Sequence, residues 1–343
     1  DADPTSVVYR RLSSEDVLAD EHLLREAFGL LVTAHYRTEP DDLARLLDAP
    51  NVTVRALLHD GHVASVALLA REGGLPADLR ARMYAGERVR GNMVPDVLTT
   101  QCRDEHAGVP VGWRTLRVAT HPTARSCGLG SLLLERVRAE AADRDLDYLG
   151  VGYGATPALV EFWAENGFHT VHFSTTRNER SGEHSAVMVA PISSAGRDLL
   201  ERHTDWFLRR APSMLADPLS GADPDVVRAV LRATAETTEP TLSAMEWRVV
   251  AGAAEGAAIF DTAPRPFRRL ALSHLTGGAD GGDARAERLL VAKALQARPW
   301  PEVADALGSP STAECKRAMG RVAGDLVDLY GTEMAREERE RLR

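Results

Sequence analysis

Between Trp113 and Ala141 the spacing of apolar residues changes period once, which predicts a strand followed by a helix. Trp113–Thr120 is short, apolar and β-branched, and it ends at the turn signal His121-Pro122. Leu132, Leu133, Val137 and Ala141 then recur at helical spacing, with Glu135, Arg136, Arg138 and Glu140 between them. Upstream, Val7–Arg10 reads as an edge strand. Ser13 or Ser14 is placed to cap a helix running through Leu23, Leu24, Ala27, Phe28, Leu30 and Leu31. Pro40 opens a second helix with Leu43, Leu46 and Leu47 on one face. Val52–Leu58 and Val63–Arg71 form a hairpin about Asp60-Gly61. Leu75–Tyr84 is a short amphipathic helix, and a further helical run follows Gly91–Asp96 as far as Cys102.

Downstream, Asp147–Gly152 is a second apolar strand, and Gly150, Gly152 and Gly154 make its edge bare. A helix opened by Thr156-Pro157 stops at Asn166-Gly167, and strands follow at Phe168–Phe173 and Ala186–Val189. Around Pro191–Gly196 the pattern becomes purely helical, with helices over 197–210, 224–235, 242–254, 264–275, 284–297, 300–307 and 312–330. The charged end Glu333–Arg343 reads as frayed.

Composition narrows the class. A chain of 343 residues with 44% hydrophobic content fits two globular domains, divided here as 1–192 and 193–343. No window has the length and apolarity of a membrane span, and no signal peptide opens the chain, so a cytoplasmic location is expected. Cys102, Cys127 and Cys315 are too dispersed for a disulfide framework or a metal pattern, and no metal ligands are assigned. The net charge of −9 argues against a general nucleic-acid binder. Lysine, however, occurs only at Lys293 and Lys316, so the positive charge is almost all arginine, which suits phosphates and stacked bases. An Asp-rich, Lys-poor chain fits a high-salt cytoplasm, and a genome rich in arginine codons explains it equally well.

Candidate chemistry begins in the turn between the central strand and helix. Arg125-Ser126-Cys127-Gly128-Leu129-Gly130 leads into free N–H groups at a helix start, where an anion is favoured. A Walker loop would need Gly-Lys-Ser/Thr there, and a dinucleotide loop a third glycine. The form present is R-x-x-G-x-G behind V-x-x-H-P. Two parallel strands, each followed by a helix, leave a cleft where such sheets bind ligands. His35, at the junction of the first two helices, is either a general base or a cap on the last carbonyls of the first helix. Arg80, Arg82, Arg88 and Arg90, and Arg265, Arg268 and Arg269 around Phe267, are basic runs that suit either phosphates or water. Arg209, Arg210, Arg298 and Trp300 add to them.

With those residues in view, the chain resembles the RNA cytidine acetyltransferases of the tRNA(Met) type. Five segments carry the resemblance: Ala34–Asn51 (AHYRTEPDDLARLLDAPN), Gly91–Asp96 (GNMVPD), Arg117–Ser131 (RVATHPTARSCGLGS), Asp147–Phe168 and Ser181–Met188 (SGEHSAVM). The third of these is similar to the acetyl-CoA pyrophosphate loop of GNAT acetyltransferases. The fold implied is α/β (α+β): a GNAT mixed sheet with splayed parallel strands flanked by helices, followed by an all-helical C-terminal domain. The activity implied is transfer of acetyl from acetyl-CoA to the exocyclic N4 of cytidine in tRNA or another RNA. Family members carry a helicase-type NTPase module ahead of the acetyltransferase. This chain has no Walker sequence, so ATP use is not expected of it, and it reads as an excised C-terminal portion or a short form.

The resemblance also implies roles. His35 becomes the favoured base, and the N–H groups of Val118 and Thr120 the donors to the thioester oxygen. Val118, Ala119 and Thr120, with Arg125, Ser126, Cys127, Gly128, Leu129, Gly130 and Ser131, would hold acetyl-CoA. Phe162, Trp163 and Gly167, at the end of the following helix, would complete that site. Trp163 stands where many GNAT enzymes place a tyrosine acid, which leaves Tyr153 or an unassisted thiolate. Cys127 lies in the phosphate loop, so direct transfer without an acyl-cysteine is expected. Glu183 and His184 are secondary bases or strand caps. Arg37, Arg80, Arg90, Arg265, Arg268 and Arg269 are the expected RNA contacts. The competing readings are a GNAT enzyme acting on protein lysine or a small amine, and a non-catalytic RNA-binding adaptor with a retained CoA site.

Overall fold

The hairpin fixes the register of the first half of the sheet. Strand β2 (Val52–His59) turns into β3 (His62–Gly73) through Asp60 and Gly61, whose φ angles of 49° and 85° are both positive. That pair of angles matches the twist of the flanking strands. In the computed structural model, residues 4–12, 20–33, 49–179, 181–276 and 282–343 are described. Strand β1 (Val8–Leu12) pairs antiparallel with β2, β2 with β3, and β3 with β4 (Val111–Thr120). β4 then pairs in parallel with β5 (Tyr148–Gly154). With β6 (His169–Arg177) and β7 (His184–Pro191), the mixed sheet has the order β1-β2-β3-β4-β5-β7-β6.

By Cα proximity the chain divides into two compact units, Asp1–Tyr153 with Glu165–Phe168 and Val187–His203, and Gly154–Ala164 with His169–Ala186 and Thr204–Arg343. In the first unit, helix α1 (Glu21–Thr33) packs Leu23, Ala27, Leu30 and Leu31 onto Val54, Ala56, Val66 and Leu68. Side chains alternate along a strand, so Arg55 faces the opposite side, where helix α4 (Leu129–Asp143) lies across β2, β3 and β4. Burying both faces explains why β3 is a nearly unbroken apolar run from Val63 to Ala70.

Between β3 and β4 stand the short helices α2 (Ala77–Tyr84) and α3 (Met93–Thr100). The buried Glu72 carboxylate accepts the Val94 N–H at 2.9 Å and pairs with Arg114. Asn92 accepts the Gly73 N–H at 3.0 Å, so the Gly91–Asp96 segment is tied to the end of β3. Helix α5 (Pro157–Glu165) joins β5 to β6, with the Leu159 N–H on Thr156 Oγ1.

The rest is helical: α6 (Ser194–Ala216), α7 (Pro224–Arg232), α8 (Ala244–Ala254), α9 (Pro264–Leu275), α10 (Ala284–Leu289, continuing as a π turn to Leu295), α11 (Trp300–Ala306), α12 (Thr312–Tyr330) and α13 (Glu333–Leu342). Ser243 and Glu246 form a capping box on α8, and Asp223, Asp283, Ser311 and Thr332 cap four others.

Asp20 caps α1, its Oδ1 accepting from the N–H groups of His22 and Leu23 at 3.0 and 3.1 Å, while Ser13 and Ser14 lie outside the described residues. Two local expectations change. The charged end is a helix, because Thr332 caps it and Arg339 pairs with Glu255 and Asp328, both at 2.8 Å. Gly150 and Gly154 do not bare the edge of β5. A methyl group on Gly150 would stand 3.0 Å from Val94 Cγ2, and one on Gly154 would stand 2.1 Å from Glu183 Oε2. Their missing side chains make room for protein atoms.

Candidate functional site

The strands β4 and β5 are paired over four residues, from Gly112↔Tyr148 to Thr115↔Val151, and both continue beyond. At that point β4 carries a bulge. Leu68 pairs with Arg117 and Leu69 with Thr115, which leaves Leu116 as the extra residue. A bulge increases local twist and turns a strand away from its partner. The last half of β4 therefore keeps β3 on one side and leaves β5 on the other.

That divergence exposes main-chain donors. The His121 N–H donates to the Ala64 carbonyl on β3 at 2.9 Å. Alternation along an antiparallel strand then directs the Ala119 and Arg117 N–H groups to β3 as well. The Val118 and Thr120 N–H groups point to the side from which β5 has departed. Ser65 reinforces this end, its Oγ lying 3.1 Å from the Ala119 carbonyl and 3.0 Å from Thr120 Oγ1.

A 3₁₀ turn at Pro122–Ala124 leads into the loop. Arg125 Nε donates to the Thr120 carbonyl at 3.3 Å, which folds the loop back on the strand. Ser126 and Gly128 have φ of 59° and 78°. A methyl group on Gly128 would meet nothing within 4 Å, so glycine is needed there for its left-handed backbone rather than for space. Gly128 is the N-cap of α4 and offers no side-chain cap. The first intrahelical bond is Leu132 N–H to Gly128 O at 2.9 Å. The N–H groups of Leu129, Gly130 and Ser131 thus stand ahead of the first helical bond, at the positive end of a 15-residue helix. The exposed Cys127 donates its S–H to the Arg125 carbonyl at 3.4 Å. This arrangement can hold an anionic diphosphate beside a row of free amide donors.

α4 is held in place from its other end. Glu140, 3% exposed, accepts Arg55 Nε and Nη2 at 2.7 and 2.9 Å and the Tyr9 hydroxyl at 2.6 Å. Arg11 and Arg144 reach the same carboxylate at 3.0 and 2.8 Å. Burial opposes its ionisation, but the Arg55 and Tyr9 hydrogen bonds and the nearby guanidinium charges prevail and lower its pKa to about 2. Sequence periodicity shows Glu140 only as a polar position between apolar ones, so this clamp is missed there.

The other expected site residues divide. His35 and Arg37 lie outside the described residues. Trp163 is 4% exposed and packs edge-on to Phe162 in the second unit. Gly167 closes α5 with φ of 79°, beside the Arg138 guanidinium. The Tyr153 hydroxyl donates to Met188 Sδ at 2.8 Å, and burial raises its pKa well above the ordinary phenol value. His184 is buried, with Nδ1 3.0 Å from the Ser174 carbonyl, and burial lowers its pKa.

Arg90 is exposed, whereas the Arg80 stem packs on Gly108. The basic run of α9 is engaged within the tail: Arg265 with Glu246, Arg268 with the Ala294 carbonyl at 3.0 Å, and Arg269 with the Thr241 carbonyl. Arg298 donates to the Ser220 carbonyl, and Trp300 Nε1 to Asp261, at 2.8 and 2.9 Å. Trp206 is different, since it is 43% exposed with the Arg210 guanidinium 5.4 Å from its ring.

Comparison with known proteins adds the family. Residues 26–142 and 133–193 match the family model GNAT acetyltransferase 2. The tRNA(Met) cytidine acetyltransferase TmcA of Haloferax volcanii is 62% identical over 344 residues, which is 100% of this chain and 46% of that protein. TmcA of Haloarcula marismortui is 59% identical over 99% of this chain and 44% of its own. The chain therefore spans slightly under half the length of these curated relatives. The ribosomal-protein-S18-alanine N-acetyltransferase of Escherichia coli aligns with 56% of this chain and 97% of its own, at 17% identity and a TM-score of 0.36. Among the described residues, no helix is long and apolar enough to cross a membrane. A GNAT acetyltransferase match joined to 62% identity along the whole chain places it in the tRNA(Met) cytidine acetyltransferase (TmcA) family.

Proposed function

We propose that this chain transfers acetyl from acetyl-CoA to the exocyclic N4 of a cytidine in tRNA or another RNA. The observation that carries the reading is the uncapped start of α4 behind Arg125–Gly128, next to the amides freed where β5 leaves β4. The pyrophosphate of acetyl-CoA is assigned to the loop from Arg125 to Ser131, with Ala119, Phe162, Trp163 and Gly167 as further contacts. The thioester oxygen is assigned to the Val118 and Thr120 N–H groups, which would stabilise the charge that develops on it. The chain's own residues supply no Walker loop, and the proposed transfer uses acetyl-CoA alone.

The step is a direct acyl transfer. The N4 lone pair is delocalised into the cytosine ring, so attack on the thioester carbon needs a base to take the N4 proton as the C–N bond forms. His35 is assigned that role, and His184 is the second base. The C–S bond then breaks and the thiolate of CoA leaves. The indole N–H of Trp163 is far too weak an acid to protonate a thiolate, and Tyr153 is bonded to Met188 with its pKa raised, so departure without a protein acid fits these residues best. The reading places the acetyltransferase in 1–192 and divides the RNA contacts between it and the helical 193–343. Arg37, Arg90 and the Trp206–Arg210 pair are the favoured RNA contacts. Arg80, Arg265, Arg268 and Arg269 rank below them because their side chains are packed or already paired. The target base must leave its stack to present N4.

Incubation with acetyl-CoA and tRNA, followed by nucleoside mass spectrometry, tests the reading. N4-acetylcytidine is expected to accumulate. Acetylation of lysine peptides with no acetylated nucleoside would replace it with the protein-acetyltransferase reading. Gly128→Val is expected to weaken acetyl-CoA binding on the order of tenfold, since a β-branched residue resists the left-handed backbone and about 1.4 kcal/mol is a factor of ten. Calorimetric titration with acetyl-CoA measures it, and unchanged affinity would remove the loop from the site.

A further inference from the structure

The first turns of α1 and the tip of the β2–β3 hairpin bring three metal-ligating side chains to one point. His22 and Glu26 are four residues apart on one face of α1, and His62 is the first residue of β3. His22 Nε2 lies 3.2 Å from His62 Nδ1 and 3.1 Å from Glu26 Oε1. His62 Nδ1 lies 2.8 Å from the same Oε1. The other carboxylate oxygen accepts the Val63 N–H at 2.8 Å, which fixes the orientation of the group. Among the described residues this is the one set of three such groups so placed.

Hydrogen bonding alone accounts poorly for the triangle. Each imidazole nitrogen carries at most one proton and the carboxylate none, so three mutual contacts among three such atoms cannot all be linear hydrogen bonds. A single cation satisfies all three at once. A tetrahedral ion with bonds of about 2.0–2.1 Å needs donors about 3.3 Å apart, close to the separations found, and it would sit about 1 Å above the plane of the three atoms. The side chains of His22 and His62 are 60% and 65% exposed, which leaves room for water at the remaining position.

We propose that His22, Glu26 and His62 bind a divalent transition-metal ion of the zinc class. Two imidazoles and one carboxylate are donors suited to Zn²⁺ rather than to Mg²⁺ or Ca²⁺. The ion clips α1 to the hairpin. It borders a cavity of about 820 Å³ that Arg125 and His121 also line. The site lies on two elements 36 residues apart at their nearest ligands, which is why no local spacing announces it. The inference does not depend on the acetyl-transfer reading.

Calorimetric titration of the full chain with Zn²⁺ in a non-chelating buffer tests it. One ion per chain is expected, with Kd in the micromolar range and a Tm raised by several degrees at saturating metal. His62→Ala and Glu26→Gln are each expected to abolish both effects. His59→Ala and Cys127→Ser, which leave the three ligands intact, are expected to retain them. Substitution by Co²⁺ should give the visible absorption of a tetrahedral site, lost in His22→Ala. No saturable binding in the wild type, or equal binding by a His22→Ala/His62→Ala double variant of unchanged circular dichroism, would overturn the proposal.

Discussion

Replacing His35 with alanine is expected to slow N4-acetylcytidine formation by about 10²–10⁴-fold while leaving the Kd for acetyl-CoA within a factor of about two. The size follows from the nucleophile. An aromatic amine becomes strongly acidic as it attacks a thioester, so its proton must go to a base within the same step. Water is a weak base for that purpose, and an imidazole, whose ordinary pKa straddles neutrality, is a good one. Acetyl-CoA, by contrast, is assigned to the Arg125–Ser131 loop and to main-chain donors of β4, none of which involves residue 35. The wild-type rate should fall on the acid side as the imidazole protonates, and the variant should lose that limb. Single-turnover rates across pH, with acetyl-CoA binding measured in parallel, separate the two effects. A rate within tenfold of wild type would move the role to His184. That side chain is already set up as a neutral imidazole, with its Nδ1 on the Ser174 carbonyl and burial opposing its charge. His184→Gln in the same assay would then carry the loss.

What was legible in the sequence depends on how local the cause is. The β2–β3 turn was legible because Asp60-Gly61 is set by two backbone angles, and the helix α5 because Thr156, Pro157 and Gly167 mark its ends by their own chemistry. The phosphate-type loop was legible for the same reason, since Gly128 answers to its own φ of 78°. A cleft between the two parallel strands was legible from the strand–helix pattern, but the bulge at Leu116 that turns β4 away was not, because it exists through pairing with Leu68 and Leu69 some 47 residues away. The glycines of β5 misled for a related reason. Whether a missing side chain opens space to a ligand or to Val94 and Glu183 is decided by segments distant in the chain. The basic run at Arg265–Arg269 is a further case. Arginines on one helix look like a surface patch until Glu246 and the carbonyls of Thr241 and Ala294 are brought to them.

Glu140→Gln is expected to cost about 3–5 kcal/mol at neutral pH, the range for removing one partner of a buried ion pair. The four groups around Glu140 are not equivalent. The Arg11 and Arg144 side chains are 58% and 46% exposed and can turn to water, but Arg55 is 4% exposed and would keep an uncompensated charge in the interior. Its stacking 5.2 Å from the centre of the buried Trp113 ring offsets little of that. The same carboxylate predicts an acid response. Its pKa is about 2 in the folded chain against 4.5 when unperturbed, so the unfolded chain binds the proton more readily. The stabilisation is therefore fully present above pH 4.5 and is lost as pH falls toward 2, and it amounts to about 3 kcal/mol. Urea unfolding of wild type and variant at pH 7 and pH 3 measures both quantities. The gap between the two proteins should narrow at pH 3, because the wild type gives up part of what the variant already lacks. An equal gap at both pH values would mean that the carboxylate is not what holds α4 to β1 and β2. The functional consequence follows from position. Glu140 lies in the last turn-and-a-half of the helix whose first turn carries Leu129, Gly130 and Ser131, so loosening it should raise the Kd for acetyl-CoA before the chain unfolds.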